Sequence, residues 1–263
     1  MRRRFGQALR IGVSGAGIAL VKTSRWGFDR ATVVAEHTFA DGASAPQVAD
    51  GLRALLAGGS WSRWPANVVV ADDLARMWQV TPPPGAARMA DLEAAAALRF
   101  QQLYGEPASG WQIAGSWDPS RAFTAAALPR PLHDALTGAA AEHRLALVEV
   151  VPQFIAGWNR WCHLIAPDSW YGLVHDGVLT FGIPEHAGLG AVRASQVPAG
   201  ADARWLEAHA AREALRLGVA APARLQLSGQ VPDAWLGSEL MVLGETPAGW
   251  TAGAALAATG SRA

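Results

Sequence analysis

Leu145-Ala146-Leu147-Val148-Glu149-Val150-Val151-Pro152 runs directly into Gln153-Phe154-Ile155-Ala156-Gly157-Trp158-Asn159-Arg160-Trp161, and the reading of this joint decides the fold. The β-branched run predicts a strand. Pro152 then stands at or near the first turn of a helix, where its missing N–H costs nothing. On both sides of the joint the sequence spells strand, tight turn, strand, strand, helix, strand. The joint is therefore expected to be a hinge between two copies of one plan.

Before the joint, residues 9–14 read as an apolar strand, Gly15-Ala16-Gly17 as a turn and residues 18–21 as the returning strand. Residues 31–39 form a third strand, Asp41-Gly42 punctuates, and residues 47–56 carry Val48, Leu52, Leu55 and Leu56 at helical spacing, closed by Gly58-Gly59. Residues 67–71, with Val68-Val69-Val70, match a strand buried on both faces. After the joint the plan returns. Strands are expected at 170–175 and 178–183 around the hairpin dipeptide Asp176-Gly177, and again at 191–197. A helix over 203–217, ended by Gly218, and strands at 224–228 and 240–243 complete it. The Ala/Gly/Thr-rich tail from Thr246 admits either a short alanine helix over 253–258 or disorder.

Between the strand at 67–71 and the joint lies a segment of different character. It opens on Thr81-Pro82-Pro83-Pro84-Gly85, a stiff boundary. A helix follows over 87–104, with Met89, Leu92, Ala96, Phe100 and Leu103 on one face, stopped by Gly105 and Pro107. Strands at 111–113 and 122–128 flank the turn Asp118-Pro119-Ser120, and a helix over 131–142 leads back to the joint.

The 263 residues are 51% hydrophobic, enough for a substantial core, and the formal net charge is zero at a sequence pI of 7.1. That balance gives no general attraction to nucleic acid. Met1-Arg2-Arg3-Arg4 reads as a solvated tail; Arg10 interrupts the apolar stretch that follows, so no signal peptide is expected. No apolar run reaches the ~20 residues that span a bilayer. The single cysteine, Cys162, suits a reducing cytoplasm.

Several passages resemble the actin-like superfamily, and within it the PilM-like and GspL-like cytoplasmic assembly proteins of type IV pili and type II secretion. Arg10-Ile11-Gly12-Val13-Ser14-Gly15-Ala16-Gly17-Ile18 is similar to the first phosphate hairpin. Leu98-Arg99-Phe100-Gln101-Gln102-Leu103-Tyr104-Gly105, followed by Trp111, is similar to the helix-to-tryptophan passage of the insertion in that group. The strand and helix at 147–159 resemble its interdomain joint. Leu225-Gln226-Leu227-Ser228-Gly229 is similar to the strand and glycine turn under adenosine, and Ala252-Gly253-Ala254-Ala255-Leu256-Ala257 to the terminal helix. The resemblance implies an α/β, actin-like fold of two duplicated RNase H-like halves, with a small α+β subdomain inserted in the first. Residues 1–72, continued by 144–162, would form the first half, 73–143 the insertion and 163–263 the second half with the terminal helix or tail.

Departures from the pattern bear on activity. Nucleotide-binding members carry an aspartate in the first hairpin to order Mg²⁺, and here Gly12, Val13 and Ser14 stand instead. A second phosphate hairpin sought at His163-Leu164-Ile165-Ala166-Pro167 lacks the usual aspartate and glycine, and Gln230 replaces a glycine of the adenosine turn. Gly12, Ser14, Gly15, Ser228 and Gly229 are then degenerate remnants of a nucleotide site, no cofactor is expected, and the chain is expected to be non-catalytic. The alternative is an ATP and Mg²⁺ binder that substitutes Asp72, Asp73 or Asp168 for the missing carboxylates. Gly12-Val13-Ser14-Gly15 is not read as a nucleophile elbow, because Ala16 takes the place of its second glycine. Cys162-His163 has no second pair at metal spacing. The resemblance further implies a cytoplasmic scaffold, peripheral to the inner membrane, that holds a short N-terminal cytoplasmic peptide of an inner-membrane assembly protein at the boundary between the insertion and the first half, with a secretion or pilus motor ATPase as a further partner. Arg99, Trp111, Trp117 and Phe123 are the expected partner-binding residues, the aromatics as anchors and Arg99 as a rim charge.

Overall fold

The computed structural model describes residues 6–24, 31–40, 42–185, 188–237, 240–244 and 246–261; Met1-Arg2-Arg3-Arg4 and Asp41 lie outside them. In chain order, the hairpin β1 (Gln7–Val13) and β2 (Gly17–Ser24) is extended by β3 (Thr32–Thr38), α1 (Ala45–Ala57) crosses over, and β4 (Pro65–Val70) returns parallel to β1. The insertion holds β5 (Arg76–Val80), α2 (Met89–Tyr104), β6 (Trp111–Gly115) and β7 (Phe123–Pro129). Then α3 (Arg130–Glu142), β8 (Ala146–Pro152) and α4 (Gln153–Trp161) reach the joint. The second half is β9 (Ser169–His175), β10 (Val178–Glu185), β11 (Gly188–Gln196), α5 (Ala203–Leu217), β12 (Arg224–Gly229), β13 (Leu240–Val242) and α6 (Ala252–Ala258).

The duplication is explicit in the sheets. One runs β3-β2-β1-β4-β8 and the other β11-β10-β9-β12-β13, and strand directions correspond pair by pair. Each sheet alternates its side chains between two covered faces. In the first, Leu9, Ile11, Val13, Val68 and Val70 pack under α1 and α3, while Ala19 and Val21 meet Ala254 and Ala257 of α6. In the second, Leu179, Phe181 and Leu227 pack under α5, while Tyr171 and Leu173 meet Phe154 and Trp158 of α4.

The two halves thus exchange helices. α4 leaves the first sheet and lies on the second, and α6 leaves the second and lies on the first. Glycines permit both approaches: a Cβ on Gly12 would stand 2.7 Å from the Ala257 amide nitrogen, and one on Gly157 would stand 2.3 Å from the Tyr171 hydroxyl. The tail therefore contains the helix, capped by Thr251 and seated on the first sheet although its residues were counted with the second half.

The insertion has three strands in the order β5-β7-β6, one more than expected, with α2 over one face. α3 was counted with the insertion in sequence, but Leu132, Leu136, Ala139 and Ala140 belong to the core of the first half, beside α1. No helix among the described residues is long and apolar enough to cross a membrane.

Candidate functional site

Two places draw attention: the hairpin tips between the halves, and the boundary between the insertion and the first half. At the first tip, Ser14 is buried and its Oγ accepts from the amides of Ala16 (3.3 Å) and Gly17 (3.2 Å). The carbonyls of Gly15 and Ala16 accept from Ala43 (3.3 Å) and Phe39 (2.9 Å). The turn is thereby closed on itself and on the strand-to-helix connection that follows β3.

The second tip corrects the sequence reading. By topology the partner of the β1–β2 hairpin is β9–β10, so its turn is Asp176-Gly177 and not the stretch at 163–167. Both turn residues have positive φ, 46° and 72°, as the Asp-Gly pair favours. Gln230, read as a lost glycine, has a structural role here: its Oε1 accepts the Asp176 amide at 2.8 Å, and its own amide donates to Val174 (2.8 Å). Gly229 precedes it at φ 87°, where a Cβ would stand 2.2 Å from the Val174 carbonyl oxygen.

The five remnant residues separate. Ser14 and Gly15 stand at the first tip, and Ser228 and Gly229 line the cavity beside the second, Ser228 with its hydroxyl paired to Tyr171 at 2.7 Å, but Gly12 lies under α6. The substitute carboxylates separate too. Asp72 is buried, with Oδ1 accepting the Phe154 amide and Oδ2 the Thr180 hydroxyl, both at 2.9 Å. Burial, and then neighbouring Asp73, push its pKa up to about 7, against the two hydrogen bonds. Asp168 stands at the opposite end of β9 from the turn, about 25 Å along the strand. Asp73 is exposed, and its Oδ2 would lie 4.0 Å from a Cβ on Gly15. Among the described residues no three of His, Cys, Asp and Glu assemble as a metal-holding group.

A cavity of about 170 Å³ adjoins the second tip, walled by Gln153, His175, Gly229, Trp161, Trp250 and Thr259. His175 is kept below its ordinary pKa by burial, against Asp176 and Asp73.

At the other boundary, the face of the insertion sheet opposite α2 turns toward β8. Gln112, Ala114, Ala126 and Leu128 form a floor, and five residues of β8, Leu147, Val148, Glu149, Val150 and Pro152, line the wall of a groove of about 270 Å³. Because consecutive residues of β8 line it, the free edge of that strand faces the groove. The pairing of β8 with β4 skips Val148, a bulge that leaves this valine 65% exposed.

The expected partner-binding aromatics lie on the other face. Phe123 is buried against Trp78, Phe100 and Ala125 under α2, so it is a core residue and not an exposed anchor. Trp117 packs on it at a tilt, ring centres 5.6 Å apart, and Trp111 packs on Phe100 at 5.2 Å with Nε1 donating to Glu106 (3.0 Å). Arg99 is exposed on α2 beside a groove formed with residues 79–86. A small sheet covered by one helix has one core face, and its aromatics fill that face.

Comparisons with solved structures agree on the architecture. The cytoplasmic domain of EpsL, an inner-membrane component of the type II secretion system of Vibrio cholerae, matches at 14% identity over 95% of this chain and 92% of that one, TM-score 0.60. A Bacteroides thetaiotaomicron protein with an actin-like ATPase fold and unknown function matches at 12% identity over 90% and 91%, TM-score 0.62. A chain of a PilM-PilN type IV pilus biogenesis complex matches at 15% identity over 90% and 88%, TM-score 0.61. The chain therefore has the actin-like fold, in the version with a small inserted subdomain seen in its own sheets. No family model matches the sequence, and no curated protein matches it.

Proposed function

We propose that this actin-like chain is a non-catalytic cytoplasmic scaffold of an inner-membrane pilus or secretion platform, and that it grips an extended segment of a membrane partner between the insertion and the first half. One observation carries the reading: the β8 edge and the β6 side of the insertion face beside it leave a largely apolar groove with the edge strand of the first sheet as one wall. Such an edge accepts an added strand, its backbone supplying hydrogen bonds and the floor supplying pockets for alternate side chains. Two chains that share the fold are described as part of a type IV pilus biogenesis complex and as the cytoplasmic domain of an inner-membrane component of a type II secretion system. Ala114 is exposed on the floor, so Ala114→Arg fills the groove without touching a core. It is expected to weaken capture of the inner-membrane components of the host's pilus or secretion system by roughly tenfold or more. Trp117→Ala, on the α2 face, should lower stability and leave capture intact. Full capture by a folded Ala114→Arg variant would sink the reading.

The non-catalytic part rests on the hairpin tips. A phosphate cradle needs free backbone amides, and here those of Ala16, Gly17 and Asp176 are taken by Ser14 and Gln230. The adjoining cavity of about 170 Å³ is small beside the ~300–1,000 Å³ of ordinary ligand pockets. The residues present do not fit Mg-ATP. One observation favours the nucleotide-binding alternative: Asp73 lies beside the first tip and Asp176 within the second. Calorimetric titration with Mg-ATP decides between them. No heat of binding is expected; micromolar binding abolished by Asp73→Asn would favour the alternative.

A further inference from the structure

A third opening lies where the insertion meets the second half. β11 packs along β5 and β7, and one end of that contact is fastened by Gln79, whose Nε2 donates to Thr124 Oγ1 (2.9 Å) and to the Leu189 carbonyl. Toward the other end lies a polar cavity of about 390 Å³. Arg76, Tyr104 and Asp73 line it from one side, and Arg193, Ser195 and Gln196 from the other.

Two guanidinium groups thus face one space from separately folded parts of the molecule. The Arg76 guanidinium carbon lies 5.8 Å from the Tyr104 ring centre and 5.6 Å from that of Trp111, so two rings orient it. Arg193 reaches Glu213 only at 3.8 Å, while Arg216 holds that carboxylate at 2.6 Å. Both cavity arginines act on the Tyr104 hydroxyl: burial raises its pKa, and Arg76 and Arg193 oppose the rise. Ser195 and Gln196 complete the far wall. Like charges across a wet gap repel, and a multivalent oxyanion between them removes the repulsion while meeting two planar donor forks. Asp73 on the rim works against such a ligand; Asp72, in the wall, is already held by Phe154 and Thr180.

We propose that this cavity seats a phosphate-class oxyanion, free or ester-linked, held jointly by Arg76 and Arg193, and that its binding fastens the insertion to the second half. The site lies apart from the partner groove, so it stands or falls independently of the partner-groove reading; it shares Asp73 with the surroundings of the first hairpin tip.

The test titrates inorganic phosphate, with sulfate and chloride at matched ionic strength, and reads the thermal midpoint and the tryptophan emission, since Trp111 lies against Arg76. Phosphate and sulfate should raise the midpoint saturably and chloride should not. Arg76→Gln and Arg193→Gln should each weaken the apparent affinity roughly tenfold or more, and Asp73→Asn should strengthen it. Arg121→Gln, exposed elsewhere on the insertion, should change nothing. ATP run in parallel identifies the source: a response with the same arginine dependence assigns an ester-linked phosphate, and a response to phosphate alone assigns the free ion. Arg193 is half exposed, so Arg193→Gln carries the test even where Arg76→Gln fails to fold. An unchanged phosphate response in Arg193→Gln, or no response to any oxyanion, overturns the proposal.

Discussion

Asp72 joins three parts of the molecule through two hydrogen bonds: its own segment after β4, α4 through the backbone amide of Phe154, and β10 of the other half through the Thr180 hydroxyl. A buried carboxyl in that position is costly to ionise, and its pKa of about 7 states the cost as a proton held longer than in the unfolded chain. The sign follows from linkage. Between the ordinary carboxylate value and about 7 the folded protein binds the proton and the unfolded chain does not, so this group's contribution to stability falls as pH rises through that window. The full loss is on the order of 4 kcal/mol. Asp72→Asn, which keeps an acceptor for Phe154, is expected to flatten the decline in denaturant-derived stability between pH 4 and 8; a variant as pH-dependent as the parent would contradict the assignment. At this scale the sequence was least legible. Asp72 was one of three candidate carboxylates with nothing to separate them, and Gln230 read as a lost glycine because its hydrogen bond to Asp176 exists only once β12 lies beside β9.

The two crossover helices carry much of the cohesion between halves, and Arg10 ties down the second. It is buried on β1 with Nε donating to the Ala257 carbonyl (2.7 Å) and Nη2 to that of Thr259, a cation at the C-terminal end of α6, where the helix dipole favours it. Burial lowers its pKa, and Glu149 partly offsets that. Charged hydrogen bonds of this kind contribute about 1.5–3 kcal/mol each. Arg10→Gln should therefore lower stability by about 2 kcal/mol or more and free the amides of 254–258 to exchange while those of α1 stay protected; equal protection in both helices would refute a local role. Most elements were readable because their periods were clear: Val68-Val69-Val70 for β4, Asp176-Gly177 for the second hairpin, the alanine run for α6. β5 was missed because Arg76-Met77-Trp78-Gln79-Val80 has no strict alternation, its two partly covered faces both taking apolar and polar residues. α3 was assigned to the wrong neighbour because its apolar face is evident in sequence but its partner, α1, is not.

At the scale of the whole molecule, the repeat of strand and turn signals around Pro152 made the duplication legible, and the matching sheet orders bear it out. A partner groove at the boundary between the insertion and the first half is what the resemblance implies, and the opening there is lined by residues other than Arg99, Trp111, Trp117 and Phe123. Aromatics suit an anchor role because they bury large areas, and the same property draws Phe123 and its neighbours into the core under α2. What remains at the boundary lacks aromatic anchors: Ala114, Ala126 and Leu128, with Gln112 and His133 beside them, face a strand edge. Hydrogen exchange on the chain bound to the cytoplasmic segment of an inner-membrane pilus or secretion partner tests the account most directly. The account predicts new protection on β8 over 147–151 and on β6 over 112–114, whereas protection confined to α2 and residues 79–102, with β8 unchanged, would contradict it.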